Sequence, residues 1–234
     1  MASAALGQPR SRDEDLFIRP EDQRTVLFGS MDAGRSVFAS AGAKQTLTGP
    51  LDRTGFVAME ATGFGLTQER FRSGGVDLPA RRLVHQAGLL AGYQWASNGL
   101  FVAGLAGIEG HREQVLVADR IYRHAEPRLG IRGQVEVWAH PTASTLLTTT
   151  LVAGSTRSSL WGRASAGLRL FSNLFVGPEA TVYVTPTYRE LRLGGHVTGV
   201  SLGLVQLRLS GGWMMDDAHG HGAPYGGLTA WIRL

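Results

Sequence analysis

The sequence predicts an all-β fold: a closed, antiparallel up-and-down transmembrane β-barrel of about twelve strands spanning residues 25–234. Three observations lead there. Apolar and polar residues alternate with a period of two along almost the whole chain, which is the side-chain period of a strand. The composition is rich in glycine (32 residues) and poor in charge (18%), against roughly 25% charged residues in ordinary soluble domains. Finally, long connections are expected at one end of the strands and tight ones at the other.

The strands follow in order. Arg24 to Asp32 is the first, and Asp32-Ala33-Gly34-Arg35 reads as a tight turn into Ser36 to Thr48. Gly49 to Gly55 is rich in turn formers, and Phe56 to Gln68 runs out again. Arg70 to Ala80 reads as a longer loop around Ser73-Gly74-Gly75. Arg82 to Trp95 returns to the turn Ala96-Ser97-Asn98-Gly99. Leu100 to Gln114 then precedes a polar connection through Asp119, Arg120 and Arg123. Strands Arg128–His140, Leu146–Thr156, Leu160–Leu170, Leu174–Thr185, Tyr188–Gly199 and Val205–Met214 complete the series before the terminal one. Asp216 to Ala223 reads as a polar loop. Longer loops thus follow the third, fifth and eleventh strands. Tight connections follow the fourth, sixth and eighth. An outer-membrane barrel with short periplasmic turns and long external loops has this asymmetry, which puts both termini in the periplasm.

Alternation alone does not say which face points inward; a lipocalin-like cup would be apolar inside. Near Leu129 the apolar set is Leu129, Ile131, Val135 and Val137, opposite Arg128, Arg132, Gln134, Glu136, Trp138 and His140. Leu191, Leu193 and Val197 oppose Glu190, Arg192, His196 and Thr198, and Val205, Leu207 and Leu209 oppose Gln206, Arg208 and Ser210. The apolar residues are mostly small or aliphatic, too poor in aromatics to fill a core. The polar sets carry both signs, as mutual pairing in a wet lumen requires. Lipid outside and water inside is the better reading.

Other classes are excluded. The longest apolar stretch, Gly99 to Ile108, is about half of the roughly 20 residues a membrane helix needs. There is no cysteine, hence no disulfide or thiolate metal site. The net charge is +4, but the basic residues are scattered singly, without the stripe of a nucleic-acid binder. Residues 1–24 read as a polar, disordered periplasmic tail. They lack the apolar core of an export signal, so either the signal has been removed or translation starts further upstream.

The ordered motifs carry a resemblance. Phe28-Gly29 is followed by Asp32-Ala33, Ala41-Gly42-Ala43 and Gly49-Pro50-Leu51-Asp52-Arg53-Thr54-Gly55-Phe56. Then come Gly92-Tyr93-Gln94-Trp95, Glu136-Val137-Trp138 with His140-Pro141-Thr142, and Val176-Gly177-Pro178-Glu179. Tyr188 with Arg192-Leu193-Gly194, Gly211-Gly212-Trp213 and Pro224-Tyr225-Gly226 complete the series. In this order and spacing, from Val26 to the carboxyl terminus, the chain resembles the BcsS cellulose biosynthesis proteins. The resemblance implies an outer-membrane barrel without established catalytic residues. It also implies an accessory role in the synthesis and secretion of cellulose or another exopolysaccharide, with other components of that machinery as partners and a glucan chain as a candidate contact. The chain departs from the usual barrel pattern by ending on Leu234 instead of an aromatic residue.

The expected lumen set is Lys44, Glu60, Glu109, His111, Arg128, Arg132, Glu136, Arg163, Arg169, Glu179, Glu190, Arg192, Arg208 and Arg233. Such charges pair with one another or stay hydrated. A salt-bridged plug is favoured over a polar path for sugar hydroxyls, because a twelve-stranded interior is narrow. Pro178 lacks a ladder donor and predicts a local bulge that would re-aim Glu179. Trp138, Trp161 and Trp231 share the polar parity and are the saccharide-stacking candidates, whereas Trp95 and Trp213 suit an interfacial girdle. Asp216, Asp217, His219 and His221 read as an external loop, with no metal site or other cofactor predicted. The reading is non-enzymatic, since serines and His196 are present without a signature that assembles them. The alternatives are an outer-membrane enzyme and a small-solute pore acting on lipid or polysaccharide.

Overall fold

The computed structural model describes residues 23–73, 75–117, 120–171 and 173–234. The predicted disordered tail, residues 23 and 24 aside, and Asp119 of the polar connection lie outside the described residues. Among the described residues thirteen strands follow one another: β1 (Thr25–Ala33), β2 (Ser36–Thr46), β3 (Gly55–Ser73), β4 (Val76–Ser97), β5 (Leu100–Val117), β6 (Arg120–His124), β7 (Arg128–Thr142), β8 (Thr145–Gly154), β9 (Ser159–Phe171), β10 (Leu174–Thr185), β11 (Tyr188–Leu202), β12 (Val205–Asp216) and β13 (His219–Arg233). Every pairing is antiparallel, and β1 joins β13 to close the ring. Twelve strands form the wall. The five-residue β6 continues along β5 beyond the point where β7 stops pairing.

The faces resolve the question that alternation left open. Leu129, Ile131, Val135, Leu191, Leu193 and Leu209 are exposed, while Gln134, Glu190, His196, Thr198 and Arg208 are buried. A water-soluble barrel has the opposite distribution, so the apolar band is the lipid face of a transmembrane barrel. Among the described residues no helix is long and apolar enough to cross a membrane. Trp95 and Trp213 both stand on the outer face, 54% exposed. Trp95 extends an edge-to-face cluster with Tyr93 and Phe56, at ring separations of 5.0 and 5.1 Å, as expected of an interfacial aromatic belt.

The first and last described residues lie at one rim, called here the terminal end. There Leu234 accepts backbone hydrogen bonds from Arg24 and Thr25. Loop length is distributed differently from the expectation. The segments predicted as long loops at the far end are mostly strand. β3 and β4 run on to meet at residues 73–76, and β12 and β13 meet at a turn at 217–218. Strands β3, β4 and β5, of 19, 22 and 18 residues, exceed the roughly 9–11 residues that cross a bilayer. Outside the membrane, apolar alternation is no longer required, and the polar sequence there resembles loop. The longest irregular connection, residues 47–54, lies instead at the terminal end.

Two local features interrupt the ladders. Gly199 has φ of +94° and sits where the β11–β12 register shifts between Thr198 and Val200. An added Cβ would stand 1.9 Å from the Asn173 carbonyl oxygen, so only glycine serves there. Pro178 behaves otherwise than predicted. The β10–β11 register runs through it unbroken, and the β9–β10 ladder merely lacks pairs at Gly177 and Pro178. The irregularity lies at Leu174/Phe175. Proline removes a donor without adding a residue, so the strand loses a bond but keeps its count.

Candidate functional site

The lumen has two unlike halves. In the terminal half, side chains meet across it. Trp138 on β7 and Trp231 on β13 stack edge to face at 6.0 Å, although five wall strands separate them in either direction around the ring. His140 on β7 lies 5.6 Å from Phe175 on β10. Lys44 on β2 donates to Glu136 on β7 at 2.7 Å, and the other Glu136 oxygen accepts from Gln134, also at 2.7 Å. The Lys44 ammonium stands 4.8 Å above the Phe101 ring.

Beside them, Val57, Met59, Leu90, Ala103 and Leu105 form an apolar cluster with Phe28 and Phe101. The inner face of β3–β5 is therefore greasy here, which the reading of a uniformly wet lumen did not anticipate. On the opposite side Arg208 pairs with Glu179, both almost fully buried. Arg208 also donates to the Thr148 hydroxyl at 3.1 Å, and Thr148 bonds Ser165 at 2.7 Å. His196 bonds Thr198 and lies near the Ala166 carbonyl. Below, the Gln94 amide donates to the carbonyls of Leu51 and Arg53, tying the 47–54 loop to the terminal end.

The far half is open: a cup of about 800 Å³. Its wall on β7–β11 carries Arg132, Trp161, Arg163, Tyr183, Glu190 and Arg192, with Arg157 from the turn between β8 and β9. The facing wall on β1–β3 carries many small residues, Ser30, Ser36, Ser40, Gly63, Gly65 and Thr67, beside Phe28, Asp32, Phe38 and Glu69. Small side chains on that side are what leave the volume empty. Glu109 accepts from the Thr156 amide and hydroxyl at 2.9 and 2.7 Å. An added Cβ at Gly154 would meet both Glu109 oxygens at 2.7 Å, so the glycine makes room for the carboxylate. Arg192 pairs with Glu190 at 2.6 Å, and Glu190 also accepts from the Tyr188 hydroxyl at 2.7 Å. Arg82 is held by Glu69 at 2.9 Å and Glu113 at 3.3 Å, and Arg35 by Asp216 at 3.1 Å.

Against this geometry stands one decisive comparison: the family model described as cellulose biosynthesis protein BcsS matches residues 26–234. The chain belongs to the BcsS family. Among solved structures it is similar to the KdgM porin, at a TM-score of 0.51 and 6% identity, over 89% of this chain and 99% of that one. It is also similar to the translocator domain of the autotransporter NalP from Neisseria meningitidis (TM-score 0.49, 15% identity, 95% and 92% covered) and to the transport unit of the autotransporter AIDA-I from Escherichia coli (0.46, 11%, 94% and 92%). At 6% identity the likeness to the porin concerns the fold alone. No curated protein matches the chain.

Within this BcsS chain the expected lumen residues divide five ways. Lys44, Glu136, Glu179 and Arg208, with Trp138 and Trp231, build the filled half. Glu109, Arg132, Arg163, Glu190, Arg192 and Trp161 face the cup. His111 is buried beside Glu113, at 3.9 Å. At the rims, Arg128 is exposed beyond His111, Arg233 is exposed, and Arg169 lies 5.3 Å over the Phe175 ring.

Glu60 is the correction. It is exposed on the outer face, in register with Ala43 and Leu89. Both faces of β3 are apolar here, so its single charge did not mark the lumen. The sequence reading also missed Asp32, Arg35 and Arg157, which it placed in turns. The parity of Phe28 and Ser30 extends to Asp32 and was the available signal.

Proposed function

We propose that this BcsS protein is a non-enzymatic outer-membrane accessory of cellulose or exopolysaccharide synthesis and secretion, a docking point rather than a conduit. The observation that carries the reading is the Trp138–Trp231 contact across the full ring, backed by the buried Arg208–Glu179 and Lys44–Glu136 pairs. Bridges of paired charges and indoles across the lumen favour a plug over a path for a glucan chain. The terminal end faces the periplasm, where it meets other components of the machinery. The long β3–β5 strands and the cup face outward, where a glucan chain is within reach. The lipid-facing band anchors the whole in the bilayer. No step of chemistry is assigned: His196, the histidine nearest a candidate base, is occupied by Thr198 inside the filled half.

Refolded protein in planar bilayers tests the plug, and a deletion strain tests the role. The expected results are silent bilayers and a fall in cellulose yield restored by the wild-type gene. Stable conductance steps would replace this reading with the small-solute pore. Turnover of lipid A or cello-oligosaccharides, abolished by H196A or E179Q, would replace it with the enzyme.

A further inference from the structure

The residues lining the cup include six arginines against four carboxylates, Asp32, Glu69, Glu109 and Glu190. Arg35, Arg82 and Arg192 each have a carboxylate within 4 Å. Arg132, Arg157 and Arg163 line the same cavity and make no ion pair with a described residue. The Arg132 Nε is buried with no hydrogen-bond partner. Arg163 lies 5.0 Å over the Trp161 ring, a contact that leaves its charge in place.

All three stand on one wall. Arg132 pairs in register with Gly154, and Gly154 with Ser159, two residues before Trp161. Arg163 is in register with Thr181, and Thr181 with Arg192. Arg157 overhangs them from the turn.

A guanidinium fork matches carboxylate and phosphate oxygens two at a time, and is the usual residue for holding either. Three such forks in a cup of about 800 Å³, whose facing wall carries many small residues beside Asp32, Arg35 and Phe38, leave space for a ligand bearing the opposite charge, and that volume falls within the range of small-molecule sites. Trp161 and Tyr183 add flat apolar surface beside the guanidiniums, suited to the face of a pyranose ring. A neutral glucan would use the rings but leave the excess of arginine over carboxylate unmatched.

We propose that the far-end cup binds a saccharide carrying an anionic group, carboxylate or phosphate, through Arg132, Arg157 and Arg163. This deepens the accessory reading above and rests on the cup being closed below. The test titrates the full-length barrel in detergent micelles with cellotetraose, with tetragalacturonate and with glucose 6-phosphate, followed by tryptophan fluorescence and calorimetry. At least one anionic probe is expected to bind about ten-fold or more tighter than cellotetraose, the worth of one or two hydrogen bonds to a charged group, and its affinity should fall with added salt. The arm that binds distinguishes carboxylate from phosphate. R157Q, in a turn where folding is least at risk, and R163Q should each remove most of the preference. Equal affinity for neutral and anionic probes, no binding of any, or R157Q and R163Q that keep the preference while folded would overturn the site. Those results leave bilayer silence and cellulose yield untouched, so a failed site and a failed accessory role are told apart.

Discussion

The terminal and far halves of the lumen are enclosed by the same twelve strands, with the same alternation and the same mixture of arginine and carboxylate. One is filled and the other empty. In the filled half, large side chains face one another: Trp138 meets Trp231, and Lys44 reaches Glu136. In the cup, arginines and aromatics on one wall face a wall rich in serine and glycine, with Asp32 and Phe38 among them. The wall fixes the radius of a barrel, but the size of the residues facing each other decides whether that radius encloses a plug or a site.

The sharpest way to break this comparison is to remove one arginine from each half. R208A leaves the Glu179 carboxylate buried without its cation, which should cost about 3–5 kcal/mol of stability, read from urea unfolding in micelles. R192A, with Glu190 still bonded to the Tyr188 hydroxyl beside an open cavity, should cost well under half of that. Equal losses would mean that both halves are equally dry. Next in size, E60L should stabilise the barrel. Glu60 lies four residues from each of the exposed Phe56 and Phe64, in the middle of the apolar band. A carboxylate there costs less than the ~2–4 kcal/mol of a basic residue at the midplane, so a gain of about 1–2 kcal/mol is expected in lipid vesicles. The smallest effect is the indole pair itself: a double-mutant cycle of W138A and W231A should return a coupling of about 0.5–1.5 kcal/mol. The double variant, if folded, should also begin to conduct in bilayers where the wild type is silent.

How much of this was written in the sequence varies by region. From β7 to β13, one face is apolar and the other charged, so strand, parity and lumen membership of Arg132, Glu136, Arg192 and Arg208 all follow from alternation. On β3 that contrast disappears. Val57 and Met59 point in and Phe56 and Ala58 point out, and the lone Glu60 then suggested the wrong face. The meeting of Trp138 and Trp231 depends on barrel circumference and shear, which no local pattern encodes. Arg157 and Asp32 were hidden because polar residues near a turn read as turn, whether or not they project into a cavity. Pro178 taught a smaller lesson: a missing donor is not an extra residue.

The seam between β1 and β13 has a consequence for how the molecule assembles. Every other wall contact joins strands that are neighbours in sequence, apart from the short β6 between β5 and β7, and those hairpins can zip in order as the chain is delivered. Val26 with Arg233 is a different event, the joining of two ends about two hundred residues apart. Entropy penalises that closure only logarithmically with length, yet it cannot occur until the final strand is in place. Until then both edges offer unpaired amides and carbonyls to any passing strand. The last step of folding is thus also the step most exposed to capture, and Leu234, which binds Arg24 and Thr25 at the rim, is the final stitch.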